Sequence, residues 1–278
     1  MIDPRHSWRQ VNVTFPDWDN AEQTALAVLA CYLATAQPSQ LADTWFFIRK
    51  YPCWRLRYRT GTEADESLRR YLDELAARHE IGGWTPAVYE PETRAFGGPA
   101  AMAIAHQLFH HDSHSLLAYL RDNRTAGKEN RREISIMLCS ILMRAAGQDW
   151  YEQGDIWARI ASHRPPSPGR QPARPGTLQD SIRRLMTVDA ESQMRDKAPL
   201  AALTEWAHAY AAAGRDLASL AATGTLHRGI RAVLAHHVIF AWNRLGLHYP
   251  AQAGLAATAA TVVFGPDPAA SPSIQEHS

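Results

Sequence analysis

The sequence predicts an α+β fold, with a small, mostly antiparallel sheet and helices in the N-terminal half and a mostly helical C-terminal half. Three observations carry this. Short runs of β-branched and aromatic residues cluster in roughly the first hundred positions. From Gly98 onward Ala, Leu, Ile and Met recur at helical spacing, punctuated by Gly or Pro. The 46% hydrophobic content of 278 residues suffices for a proper core.

Taken in order, Trp8 to Phe15 is rich in β-formers and stops at Pro16, and Asp19 can cap an Ala- and Leu-rich helix running to Ala36. Two strands, 44–50 and 54–60, flank Tyr51-Pro52. Side chains alternate across a strand, so Arg55, Arg57 and Arg59 share one face of the second. A helix from Glu63 to His79 follows, then Gly82-Gly83 and a short strand from Trp84 to Tyr89. Helical segments are expected over 99–110, 113–122, 129–146, 149–162, 177–187, 199–222, 226–245 and 251–263. Proline and glycine crowd residues 163–176, which predicts an exposed loop, and 265–278 reads as a polar, disordered tail. The four strands are too short to stand alone, so they are expected to pair in one sheet within a single domain over 1–264.

Charge excludes some classes of function. The 29 Lys and Arg nearly cancel the 28 Asp and Glu, so neither nucleic acid nor an anionic membrane is called for. No apolar run reaches the ~18 residues that a spanning helix needs, and Met1 to Trp18 carries no secretory pattern, which predicts a cytoplasmic protein. Cys31, Cys53 and Cys139 are widely spaced, without a CxxC, and are expected to be buried thiols.

Several groupings could carry chemistry. Arg55 and Arg57 present guanidinium forks suited to carboxylates or peptide carbonyls, or simply form an exposed strand face. Glu90, Glu92 and Arg94 lead into Phe96-Gly97-Gly98, a tight turn into the next helix. His106 and His110 lie one helical turn apart, a metal-ligand spacing, but no Glu completes an HExxH pattern, and a cap at Asp112 or Ser113 or a direct catalytic role are the alternatives. Trp150, Tyr151 and Trp157 fit core packing or the wall of a peptide site.

Four stretches together resemble the thiopeptide-type bacteriocin biosynthesis family, itself similar to the C-terminal elimination domain of class I lanthipeptide dehydratases. They are Trp45 to Tyr58, with its aromatic strand and alternating arginines; Tyr89 to Gly98 running into Ala105 to Ser113; Gly147 to Trp157; and His236 to Gly246. The resemblance implies a substrate that is a ribosomally made precursor peptide with a leader and dehydroalanines, with other enzymes of the pathway as further partners. In the dehydratase relatives, arginines near the strand and the Gly-Gly segment, plus a histidine shortly before an Asn-Arg pair, release glutamate from activated Ser or Thr. Here the pair is Asn243-Arg244. Ile239 and Ala241 stand four and two positions before Asn243, and neither can exchange a proton. His237 lies six positions before it and points in another direction on a helix.

The sister activity, thiopeptide pyridine synthesis, does not need that histidine. It joins two dehydroalanines by a formal four-plus-two cycloaddition, then loses water and the leader, and calls for no redox cofactor and no metal. The resemblance thus implies a pyridine synthase. Candidate proton-transfer groups are Tyr210, His236, His237 and Ser113; candidate substrate-binding groups are Arg55, Arg57, Tyr89, Glu90, Arg94, Phe96, Trp150 and Asn243. A stand-alone glutamate-elimination subunit and a non-catalytic peptide-binding partner are the alternatives.

Overall fold

Strands with apolar residues at every second position must bury one face, and here each face of the sheet meets a different environment. The computed structural model describes residues 8–35, 44–59, 62–123, 130–165, 175–188 and 203–265. Among them run β1 (Trp8–Thr14), α1 (Ala21–Thr35), β2 (Thr44–Lys50), β3 (Cys53–Arg59), α2 (Thr62–Ala77), β4 (Gly83–Ala87) and α3 (Pro99–Asn123). Then follow α4 (Arg131–Ala145), α5 (Trp150–His163), α6 (Pro175–Thr187), α7 (Thr204–Ala222), α8 (Ile230–Leu245) and α9 (Tyr249–Phe264). This is the α+β arrangement that the sequence predicts. Most of the expected loop over 163–176, the tail beyond Gly265 and the side chain of Cys31 lie outside the described residues. Cys53 and Cys139 are buried free thiols.

The four strands form one antiparallel sheet in the order β2-β3-β1-β4. Its register puts Phe47, Leu56 and Val11 in one row, facing the main core, and Phe46, Arg57, Gln10 and Ala87 in the next row, facing the other way. On the core side Val13, Phe47, Trp54 and Leu56 meet Ala25, Leu29 and Leu33 of α1 and Leu117 of α3. Each such side chain contributes about 1.5–3 kcal/mol on burial, enough to fix which face turns inward. The Tyr58 hydroxyl donates to Asp65 of α2 at 2.7 Å, and Arg9 and Arg69 pair with the same carboxylate.

β2 is an edge strand, and α3 satisfies part of its backbone. The His110 ring donates to the Trp45 carbonyl at 3.0 Å, and the Ser113 hydroxyl accepts the Phe47 N–H at 3.3 Å. α3 is therefore one helix of 25 residues, where the sequence suggests two segments with a cap at Asp112 or Ser113. Neither residue caps anything. Both are fully buried and spend their polar atoms on other elements, and no Gly or Pro interrupts the run from Ala100 to Asn123. A cap does form where Asp149 precedes α5: its side chain accepts the Glu152 N–H at 2.8 Å, and Glu152 reaches back to the Asp149 N–H at 3.0 Å.

Candidate active site on the outer face of the sheet

The outer face carries Trp8, Gln10, Phe46, Ile48, Arg55, Arg57 and Arg59, brought into line by the strand register. Phe46 and Ile48 do not join the main core. They pack with Phe96, Met102, Ala105, Phe109 and Phe240 in a separate apolar cluster, against which Trp8 and Tyr89 lie half-buried. α3 supplies Met102, Ala105, His106 and Phe109 because positions three and four apart share a helix face.

The three arginines are half-buried, and no carboxylate pairs with any of them among the described residues. The Nε atoms of Arg55 and Arg59 are buried without a partner among the described residues. Arg57 is held in place: its Nε donates to Gln10 Oε1 at 2.7 Å, and its guanidinium lies 4.4 Å from the Tyr89 ring centre and 5.5 Å from that of Phe46. Burial pulls the Arg57 guanidinium below its ordinary range, with Tyr89 and Glu92 opposing.

Beside Arg57, the Tyr89 hydroxyl and His106 Nε2 are 2.8 Å apart. Trp8 lies over the imidazole at 4.3 Å between centres, and Phe46 is 5.9 Å from both rings. Burial pushes the Tyr89 hydroxyl up to about 12. Burial, joined by Arg57 and Arg59, pushes His106 down to about 4. At neutral pH both groups are therefore uncharged.

The chain from Val88 to Gly98 leaves the sheet and is tied to the segment before α8 and to α8 itself. His236 and Glu92 meet at 2.8 Å, Arg228 donates to the Ala95 carbonyl at 2.6 Å, and the His227 N–H donates to the Gly97 carbonyl at 2.8 Å. The hydrogen bond from His236 holds the Glu92 carboxyl below its ordinary range. Gly97 and Gly98 have φ of 94° and 111°, and a Cβ on Gly97 would stand 2.6 Å from Leu226, so this turn needs glycine. On its outside, Thr93, Arg94, Gly98, Pro99, His227 and Arg228 line an open cavity of about 360 Å³.

Behind this surface lies a sealed polar knot. Asp112 accepts from Trp206 Nε1 at 2.7 Å and from the Tyr210 hydroxyl at 2.8 Å, and pairs with Arg244, both ionic side chains having no exposure. The Arg244 guanidinium lies 4.3 Å from the Phe109 ring centre, which links the knot to the outer cluster. Among the described residues its two terminal nitrogens have no partner, and neither has either ring nitrogen of buried His237, which sits against Phe96 and Phe109. Burial, with Arg244 and His236 adding to it, pushes His237 down to about 3.

The structure thus brings together Arg55, Arg57, Tyr89, Phe96 and His236 around the outer cluster. Arg94 faces the neighbouring cavity, and Glu90 is exposed beside Tyr89. Tyr210, Ser113 and His237 are at most 1% exposed and do not reach the surface. Trp150 packs on the main core, and Asn243 accepts from Gln252 at 3.3 Å. His106 and His110 turn to different partners, Tyr89 and the Trp45 backbone. Among the described residues no three His, Cys, Asp or Glu side chains are placed to hold one metal ion.

Trp8, Gln10 and Arg59 are not among the site residues that the sequence suggests, and Glu92 and His106 stand out there only in groupings whose roles stay open. The period of β1 puts Trp8 and Gln10 on one side, but which side they share with the arginines depends on register, which no local pattern gives.

The family model described as "Lantibiotic biosynthesis dehydratase C-term" matches residues 8–263. No curated protein matches the chain. Solved structures that share its fold include the following three. The tRNA-dependent lantibiotic dehydratase MibB from Microbispora sp. 107891 is 19% identical, with a TM-score of 0.65 over 95% of this chain and 28% of that one. TsrL is 16% identical, with a TM-score of 0.57 over 94% of this chain and 99% of that one. TbtD, the pyridine synthase from thiomuracin biosynthesis, is 15% identical, with a TM-score of 0.56 over 93% of this chain and 99% of that one. This chain therefore spans less than a third of the length of MibB.

Proposed function

The chain belongs to the lantibiotic biosynthesis dehydratase C-terminal family, and from that premise we propose that it is a cofactor-independent pyridine synthase acting on a ribosomally made, dehydrated peptide. Two dehydroalanines of one peptide would join by a formal four-plus-two cycloaddition, followed by loss of water and of the leader as an amide.

The observation that carries this reading is the pair Ile239 and Ala241, 8% and 1% exposed, standing where the resemblance expects the histidine of glutamate elimination. Neither side chain can exchange a proton. Ring closure asks for something else: a surface that folds a long peptide so that distant alkenes meet, an effect of roughly 7–11 kcal/mol at best. The outer face offers flat aromatic rings for azoles and dehydroamino acids. The guanidiniums of Arg55, Arg57 and Arg59, which no carboxylate pairs among the described residues, suit peptide carbonyls. In this reading Arg55, Arg57, Tyr89, Phe96 and Arg94 bind the peptide, and His236 is within reach of it for proton transfer. Tyr210, Ser113 and His237 hold that surface in shape from behind.

His236, with a side chain 21% exposed and joined to Glu92, favours a second reading, since it could serve as the acid or base of glutamate elimination. One experiment separates the two. Purified protein is incubated with a leader-bearing, azole-containing peptide with two dehydroalanines and, in parallel, with a glutamylated peptide, and masses are followed. Ring closure releases water and the leader; elimination releases glutamate; a binding partner changes neither mass.

A further inference from the structure

We propose that Tyr89 is the catalytic residue that hands a proton to the substrate's amide oxygen, and that His106 reloads it, so that the two act as one neutral relay. This deepens the ring-closure reading and rests on it. The Tyr89 hydroxyl and His106 Nε2 are 2.8 Å apart at the half-buried edge of the aromatic cluster. Other tyrosine and histidine candidates for the step are engaged or enclosed. Tyr210 is sealed against Asp112 and His237 has no route to a substrate, while His236, joined to Glu92, is left for the later proton transfers of ring closure.

The aromatic partners make the pair more than a surface contact. Trp8 covers the imidazole, Phe46 backs both rings, and Arg57, anchored by Gln10, lies over the Tyr89 ring. His106 is half-buried rather than sealed, and its Nδ1 has no partner among the described residues.

The step is the conversion of the amide that precedes ring closure into its imidic acid. The amide N–H bond breaks and an O–H bond forms on the same group. With the imidazole proton on Nε2, Tyr89 gives its hydroxyl proton to the amide oxygen and takes the Nε2 proton. Nδ1 takes up the amide proton by way of a solvent water. The substrate changes no composition, Tyr89 ends as it began, and the imidazole has moved from one neutral tautomer to the other. Exchange with water resets it. A relay of this kind avoids both tyrosinate and imidazolium, the two ions that burial disfavours here.

The test uses the full chain and the synthetic peptide with two dehydroalanines, read as the single-turnover rate of ring closure. Binding is read separately with an analogue carrying alanine in place of the dehydroalanines. Tyr89→Phe keeps the ring and removes the proton; it should slow closure about 100-fold or more, as expected for losing a positioned acid, with binding changed less than about 3-fold. His106→Ala should slow closure to a similar extent, and the double variant should be no more than about 3-fold slower than the slower single, because the two residues form one unit. Nitrogen-15 NMR of the imidazole at pH 7 should show a neutral ring protonated on Nε2. A packing role alone predicts the reverse: weaker binding in His106→Ala and no effect of Tyr89→Phe. If the wild type closes the ring and Tyr89→Phe does so within about 3-fold of it, or if the resting proton sits on Nδ1, the relay is wrong and the ring-closure reading stands. If the wild type closes no ring and releases glutamate instead, the functional reading falls and takes the relay with it.

Discussion

Tyr89 and Tyr210 make the same kind of bond in opposite surroundings. Each hydroxyl has one partner at 2.8 Å, but the partner of Tyr210 is the carboxylate of Asp112, sealed under α7 and α8, while that of Tyr89 is an uncharged imidazole at the rim of the outer cluster. Burial raises both hydroxyls, and the Asp112 carboxylate raises Tyr210 further. Arg57 beside Tyr89 works the other way. A polar group in a charged, closed network is committed to holding helices together; one in a neutral, open pair remains available to a substrate.

The largest expected effect is on the sealed side. Asp112→Ala leaves the Arg244 guanidinium buried with no carboxylate and frees two further donors, Trp206 and Tyr210. It should cost about 3–5 kcal/mol in a denaturant titration, the range for removing one member of a buried ion pair. A loss below about 1 kcal/mol would show that the knot does not hold α3, α7 and α8 together.

The two tyrosines then give a matched pair. Tyr210→Phe should cost about 1.5–3 kcal/mol, since it deletes a buried hydrogen bond to a charged acceptor, with turnover of the folded protein changed less than about 3-fold. Tyr89→Phe should do the converse, with stability within about 1 kcal/mol of wild type. Stability and rate that move together in both variants would erase the distinction.

Histidine titration sharpens the contrast in a pH-dependent way. His237 has a folded pKa of about 3, below the ordinary value of 6.5, so the unfolded chain binds the proton first. Its contribution is constant above about pH 7 and turns against folding as pH drops from 6.5 toward 3, by up to about 1.4 kcal/mol per pH unit. His237→Leu removes two unpaired buried nitrogens. It should be neutral or stabilising at pH 7, and more stable than wild type by about 2 kcal/mol at pH 5. Denaturant midpoints at the two pH values check this; equal pH slopes for the two proteins would mean that His237 is protonated in the fold.

The smallest effects belong to the arginines of the outer face. Arg55→Ala should change stability by less than about 0.5 kcal/mol, as for most substitutions away from a packed core. It should still weaken binding of the dehydrated peptide. Affinities measured with Arg55, Arg57 and Arg59 changed together should show whether the row acts as a peptide-binding surface; unchanged affinity would remove it from the site.

Much of the architecture was legible in the residues. Aromatic and β-branched runs gave β1, β2 and β3 to within a residue or so, because side-chain alternation and strand propensity are local properties. Ala- and Leu-rich spacing gave α4 to α9 with ends shifted by a few residues. The arginine alternation on β3 and the Gly97-Gly98 turn were equally plain, since each depends on backbone geometry over a few positions. The long-range pairings were not. Asp112 reads locally as a cap, yet in the fold it binds residues 94, 98 and 132 positions away. His106 reads as half of a metal-type pair, but its neighbour at one helical turn bonds to β2 while it turns to Tyr89. Sequence alone could name which residues are able to donate, accept or stack. Only tertiary structure could decide which of them share an environment, because burial and partner choice depend on strand register and helix packing between segments far apart in the chain.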